Sequence, residues 1–232
     1  MKKVLFLIII PFLSFGQDLT YVPDDGFEQK LINIGYDDVM DDYVLTENLN
    51  TVVSLSVTWC NISDLTGIEG FSNLEYLICY SNNITNLDLS NNLNLTLVYC
   101  NNNNLEELNV SQNIQLEFLD CYDNNLEELD VSQNTQLTHL WCYNNFLSCI
   151  QVFDVNYAEE NAVSVTFAPE FQKDNDAIWS SDCNYETSIQ EGLTSKYLLK
   201  TIDILGRETT NNKGFQLHIY DDGSVEKKYL IK

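Results

Sequence analysis

The 232-residue chain is short of positive charge, with 11 Lys and Arg against 35 Asp and Glu and a formal charge of −24 at pH 7. Nothing here could neutralise a row of phosphates, so a nucleic-acid partner is excluded. Histidine is scarce as well: His139 and His218 are the only 2, far apart in the chain. No Gly-x-Ser-x-Gly, phosphate-cradling Gly loop or His-x-x-x-His is present. With no catalytic constellation and no cofactor motif, the chain reads as a non-enzyme. Past residue 15 no apolar run approaches the roughly 20 residues that a spanning helix needs, so no transmembrane span is expected in a mature chain. A disordered acidic tail is excluded too, because 44 % of the residues are hydrophobic and 12 % aromatic.

The charge is unevenly spread. Residues 18–172 hold 25 acids and a single base, Lys30, whereas residues 191–232 hold seven bases and six acids. A break near residue 190 therefore separates an acidic body from a nearly neutral tail. At the start, Met1-Lys2-Lys3, the apolar run Val4 to Phe15 and then Gly16-Gln17 read as a secretory leader, cut after Gly16. No Cys follows the run, which disfavours a lipid anchor.

Periodicity decides the fold. Cys79, Cys100, Cys121 and Cys142 are each 21 residues apart, within the pattern Leu-x-x-Leu-x-Cys-x-x-Asn-x-Leu-x-x-Leu. Asn82, Asn103, Asn124 and Asn145 hold the Asn position, and a degenerate leading copy has Val52, Leu55, Val57, Cys60 and Ile62. No 21-residue unit can bury its apolar face alone, whereas stacked units share one continuous core. The Leu-x-Cys half alternates as a short strand. Each Asn sits where the chain leaves that strand, and its amide can bond backbone groups of its own and the adjacent coil. The second half, as in Leu129-Asp130-Val131-Ser132-Gln133-Asn134, reads as a turn on the other side, with Glu106-Glu107 and Glu127-Glu128 recurring there.

This pattern resembles the leucine-rich repeat, and specifically the short internalin-like repeats of secreted Bacteroidota proteins. The expected fold is an α/β-type solenoid dominated by β, with one short parallel strand per 21-residue coil and about five coils. Its open ends need caps. Pro23-Asp24-Asp25 before an amphipathic stretch predicts a helix whose Phe27, Leu31 and Ile34 cover the first coil. Cys149 to Cys183 reads as the opposite cap.

Position sorts the cysteines. Cys79, Cys100, Cys121 and Cys142 point inward as small hydrophobes; disulfides along the ladder are a cramped alternative. A metal site needs convergent ligands, and a ladder strings them along a line. Cys60 reads as buried and reduced. Cys149 and Cys183 lie outside the ladder, and an oxidising compartment favours pairing them. The clusters Asp37-Asp38, Asp41-Asp42 and Asp174-Asn175-Asp176 lack a calcium-loop pattern and read as solvated surface, so no metal is expected.

Alternation places outward residues in three rows on the concave side. They are Ser54, Tyr76, Leu97, Phe118 and His139; Ser56, Ile78, Tyr99, Asp120 and Trp141; and Thr58, Tyr80, Asn101, Tyr122 and Tyr143. Eight of these fifteen are aromatic or His. An aromatic sheet of this size marks a binding surface, although aromatics also suit exposed strands. The candidate contact residues are Tyr76, Tyr80, Tyr99, Phe118, Asp120, Tyr122, His139, Trp141 and Tyr143, for an unknown protein or carbohydrate ligand. The alternative is a structural, self-associating surface protein that uses the same face.

In the tail, Ile202 and Ile204, then Phe215, Leu217 and Ile219, alternate as strands, with a turn at Asp221-Asp222-Gly223. Leu205-Gly206-Arg207-Glu208 and Tyr220 through Lys228 resemble the second half of the type IX secretion C-terminal sorting domain. That resemblance implies a type IX secretion partner and a secreted or outer-surface location. The expected organisation is a leader at 1–16, a helical cap at 17–50, repeats at 51–150, a C-terminal cap at 151–186, a linker at 187–197 and a short sorting module, a small β-hairpin unit, at 198–232.

Overall fold

The computed structural model describes residues 18–162, 170–183, 198–202, 214–220 and 225–230. The leader, the linker and the turn at 221–223 lie outside the described residues. The chain divides into two compact units at residues 183 and 184.

The first unit opens with β1 (Leu19–Tyr21), α1 (Asp25–Ile34), β2 (Tyr43–Leu45) and α2 (Thr46–Leu49); β1 and β2 pair antiparallel. Asp24 caps α1, its Oδ1 accepting the Phe27 N–H at 3.0 Å. Phe27 and Leu31 are fully buried, but Ile34 is 40 % exposed and does not cover the coil as expected. The helix ends on Gly35 in a left-handed conformation, and Tyr36 turns back so that its N–H bonds the Leu31 carbonyl. Tyr36 then packs against the core where Ile34 was expected. Gly26 sits against the first coil, where a Cβ would stand 2.7 Å from the Cys60 carbonyl oxygen.

The solenoid follows. A leading coil supplies β3 (Ser54–Ser56), and the next coils supply β4 (Tyr76–Ile78) and β5 (Asn86–Asp88), β6 (Leu97–Tyr99) and β7 (Glu107–Asn109), β8 (Phe118–Asp120) and β9 (Leu129–Asp130), and β10 (His139–Trp141) and β11 (Cys149–Gln151). After α3 (Val155–Asn161) come β12 (Phe171–Gln172) and β13 (Ile178–Ser180). One parallel sheet runs β3-β4-β6-β8-β10-β12. The chain is thus a leucine-rich-repeat solenoid, with strand register advancing one repeat per coil: Leu77 opposite Val98, Val98 opposite Leu119, Leu119 opposite Leu140. These residues and the four ladder cysteines are at most 1 % exposed and form a single core.

Two features go beyond the expected coil. The stretch read as a turn holds a second short strand, giving the parallel ladders β5-β7 and β9-β11-β13. Glu107 opens β7 rather than lying in a turn. Residues 170–183 also build a further, irregular coil: β12 pairs with β10 and β13 with β11, both parallel. The Cys149–Cys183 disulfide, with Cα atoms 5.9 Å apart, fastens that coil to the array. Closing a loop of this span contributes about 4 kcal/mol through the unfolded state.

Asparagine amides link the coils. Asn124 Nδ2 donates to the carbonyls of Cys121 and Tyr122 in its own coil and of Cys100 in the preceding one, while its Oδ1 accepts the Leu105 N–H at 2.9 Å. Asn82, Asn103 and Asn145 repeat this arrangement. A second set, Asn92, Asn113 and Asn134, is fully buried and donates two bonds each to carbonyls of the preceding coil.

Cys79, Cys100, Cys121 and Cys142 are buried free thiols, and Cys60 is half-buried rather than buried. Burial pushes the Cys79 thiol up to about 12 and raises the other three well above the usual thiol range, with neighbouring thiols and carboxylates adding to the effect. Such thiols are inert packing groups.

Two carboxylates close the ladder. Asp174 accepts the N–H groups of Asn144 and Asn145, whose counterparts Asp123 and Asn124 donate to carbonyls of the next coil. At the other end Asp24 Oδ2 accepts the Ser63 and Asp64 N–H groups and the Ser63 hydroxyl. The acidic stretch at 174–176, read as solvated surface, therefore holds a structural cap. No helix among the described residues is long and apolar enough to cross a membrane.

The second unit is an antiparallel sheet of β14 (Leu198–Ile202), β15 (Gly214–Tyr220) and β16 (Val225–Leu230), in the order β14-β15-β16. The expected hairpin has a third strand; Ile204 lies outside the described residues.

Two outcomes follow from these contacts. Asn124→Ala strands several buried backbone groups at about 1–3 kcal/mol each, so urea unfolding should show a loss of at least about 3 kcal/mol. For Asp24, burial raises the carboxyl, but the bonds donated by Ser63, Phe27 and Asp64 outweigh it and hold the group below its usual 3.8. A depressed carboxyl contributes stability above its unfolded value and loses it as pH falls through the folded one. Asp24→Ala should therefore cost about 1–2 kcal/mol at neutral pH, with the gap to wild type closing as the pH is lowered below 3.8.

Candidate functional site

The parallel register sets the outward side chains of successive coils beside one another. Tyr76 is 41 % exposed, and Tyr80, Tyr99, Phe118, Asp120, Tyr122, His139, Trp141 and Tyr143 are each half-buried on this face. Asn101 departs from its row: it is only 7 % exposed, a short side chain between Tyr80 and Tyr122.

Adjacent coils bring the rings into contact. Phe118 and His139 stack with centroids 4.4 Å apart and planes 13° apart. Tyr122 and Tyr143 stack at 4.7 Å and 3°. Thr138 Oγ1 lies 2.9 Å from His139 Nδ1 and fixes the imidazole, with donor and acceptor set by the tautomer. Stacked pairs of this kind arise from strand register alone.

Between these pairs lies a groove of about 280 Å3 lined by Tyr99, Phe118, Leu119, Asp120, His139 and Trp141. Asp120 is its only carboxylate among the described residues. Its Oδ1 is buried and has no hydrogen-bond partner among the described residues. Burial pushes the carboxyl up to about 7; the Tyr122 backbone N–H opposes that rise and the Asp123 carboxylate adds to it. A buried acceptor without a donor costs about 1–3 kcal/mol. Burial also raises the Tyr143 hydroxyl, with Tyr122, Asp120 and Asp123 adding to it.

A further outward aromatic lies outside the three rows. Ser81, Asn102, Asp123 and Asn144 all take a left-handed backbone, with φ from 53° to 59°. Short polar residues tolerate that conformation. In the leading coil the same place holds Trp59, at φ 58° and 77 % exposed. The sequence signal is the 22-residue offset from Trp59 to Ser81. Likewise, the 21-residue spacing of Asn92, Asn113 and Asn134 was available to mark the second asparagine set. Among the described residues no group of three or more His, Cys, Asp or Glu is placed to hold a metal ion.

No protein-family model matches the chain. Among curated proteins it is similar to Internalin J of Listeria monocytogenes, 42 % identical over 83 residues, which cover 34 % of this chain and 9 % of that protein. Among solved structures it is similar to the functional domain of InlJ from the same organism, described as including a cysteine ladder. That match has a TM-score of 0.53 at 40 % identity and covers 60 % of this chain and 31 % of the other. An internalin, inlF, from L. monocytogenes gives a TM-score of 0.32 at 17 % identity over 68 % of each chain. The chain thus spans less than a tenth of the curated relative and about a third of the InlJ structure. The leucine-rich repeats of this chain, with their 21-residue register and buried thiol ladder, are thus similar to the repeats of Internalin J.

Proposed function

We propose that this is an exported recognition or adhesion protein, without catalytic activity, that binds a protein or glycan ligand on the aromatic face of its six-stranded sheet. The observation that carries the reading is the groove between the stacked Phe118–His139 pair and Trp141, lined also by a carboxylate with an unpaired oxygen. Half-exposed aromatic side chains with polar tips are the side chains that dominate binding energy at interfaces. Parallel strands hold them in fixed positions, so little ordering entropy is lost on binding.

Export rests on the leader at 1–16 and agrees with the Cys149–Cys183 disulfide, which persists in oxidising compartments. The neutral tail at 198–232, with its three antiparallel strands, is the segment we assign to type IX secretion, delivering the repeats to the outer surface or the medium. The cap expected over 151–186 is supplied, among the described residues, by α3, β12 and β13, which keep the open end of the core from water.

The reading is tested on the full chain against glycan and matrix-protein arrays, beside a Trp141→Ala, Tyr122→Ala double variant. Wild type should give a hit that weakens at least about tenfold in the double variant, as expected when two interface aromatics are truncated. A hit retained in the variant moves the site off this face. No hit, with assembly that grows with protein concentration, favours self-association through the same rings.

A further inference from the structure

The chemistry of the groove narrows the ligand. It is lined by the rings of Tyr99, Phe118, His139 and Trp141 and by the Asp120 carboxylate, which can only accept hydrogen bonds while ionised. The Tyr122 N–H serves that carboxylate, which leaves Oδ1 as a single unpaired acceptor. Asp123 brings a second carboxylate near. Residues 18–172 hold one base among 25 acids, and that base, Lys30, lies in α1. Lys173, just past β12, has its Nζ bound to the carbonyls of Asp174 and Ala177. The molecule therefore has an unmatched acceptor in an aromatic slot within a strongly negative field, and no described cation of its own there.

A neutral sugar gains nothing from the strongly negative field of the acidic body, whereas a cation does. A guanidinium prefers two parallel acceptor oxygens, and one is already taken. An ammonium is a compact point charge satisfied by one carboxylate oxygen with aromatic faces within about 6 Å. We propose that the Asp120 groove receives a lysine ammonium from a basic segment of a protein partner. This deepens the recognition role proposed above and rests on it: the aromatic rings supply contact area, Asp120 selects the charge, and the acidic body attracts the segment from a distance.

The titratable groups around Asp120 are Tyr99 from the β6 coil, Tyr122 and Asp123 from its own, and His139 and Tyr143 from the β10 coil, with the Cys100 and Cys121 thiols on the core side. The bound ammonium takes the ionised carboxylate, so affinity should fall about tenfold per pH unit once the pH drops below the carboxyl's value near 7. Asp120→Asn should remove that pH dependence.

The test uses the full chain and a fluorescent decapeptide of alternating lysine and serine, at physiological salt. The same peptide with arginine and a chitin hexasaccharide serve as comparison probes. Asp120→Asn should weaken lysine-peptide binding about tenfold or more, whereas Glu106→Gln, which removes a carboxylate just before β7, should leave it unchanged. Carbon-detected NMR of the wild-type Asp120 carboxyl supplies a second readout that no change in packing can confound. Its titration midpoint should move down when the lysine peptide is added. Equal weakening by both substitutions, or an unmoved midpoint, would leave only a diffuse acidic field and overturn the assignment. Binding of the hexasaccharide, lost in Trp141→Ala, with no binding of the lysine peptide, would overturn the lysine while keeping the recognition face. If no probe binds but the arrays give a hit on this face, the lysine assignment again falls alone.

Discussion

Stacking 21-residue coils leaves a row of backbone groups at each corner where the chain turns off its strand, and the asparagine amide is what satisfies them. At Asn124, one Nδ2 serves carbonyls in two coils and one Oδ1 takes an N–H from the preceding coil. The bond ties the path of one coil to the next, so the repeat length cannot drift without breaking it. Everything outside depends on this, because the stacked pairs Phe118–His139 and Tyr122–Tyr143 exist only if successive coils keep the same register. The buried cysteines beside the amides contribute volume and no chemistry, their thiols held protonated by burial. A side chain larger than Cys would push coils apart at the place where the amides must reach across.

A periodic array also has two ends where its own bond pattern has no partner. Both ends use an aspartate as a two-oxygen acceptor in place of the missing coil. Asp24 serves α1 and the leading coil together, which couples the helical cap to the repeats through one carboxylate. Asp174 receives the last two corner N–H groups, and the disulfide fastens the coil that carries it. The charge of these groups therefore cannot be read as surface decoration, even in a chain this acidic.

The repeat was legible in the sequence because it is translationally regular: Cys, Asn and Leu recur every 21 residues, and that spacing dictates register, core and outward rows. What resisted reading is aperiodic. The terminal coil at 170–183 pairs Phe171 with Leu140, 31 residues away, because α3 is inserted, so no window of 21 finds it. Ile34 fits helical spacing, yet the Gly35 turn ends the helix and brings Tyr36 inward instead. Asn101 has outward parity but sinks between two tyrosines, since parity sets direction and neighbour size sets exposure. At the candidate site, the aromatic rows followed from alternation. The unpaired state of Asp120 did not, because it depends on which donors three adjacent coils happen to place nearby.

That last point bears on how such a face acquires specificity. Inward positions are bound by packing and corner positions by the amide bonds, so only the outward rows are free to differ from coil to coil. In one row the positions across the sheet read Ser56, Ile78, Tyr99, Asp120 and Trp141, a change of chemistry at nearly every step on a constant backbone. A carboxylate dropped into this row between aromatic neighbours is desolvated without any change in fold, and its cost is borne by a core that does not sense it. The repeat thus separates stability from selectivity: each outward residue is free to vary against its two flanking coils, and a charge can be left unmatched there without a change of fold.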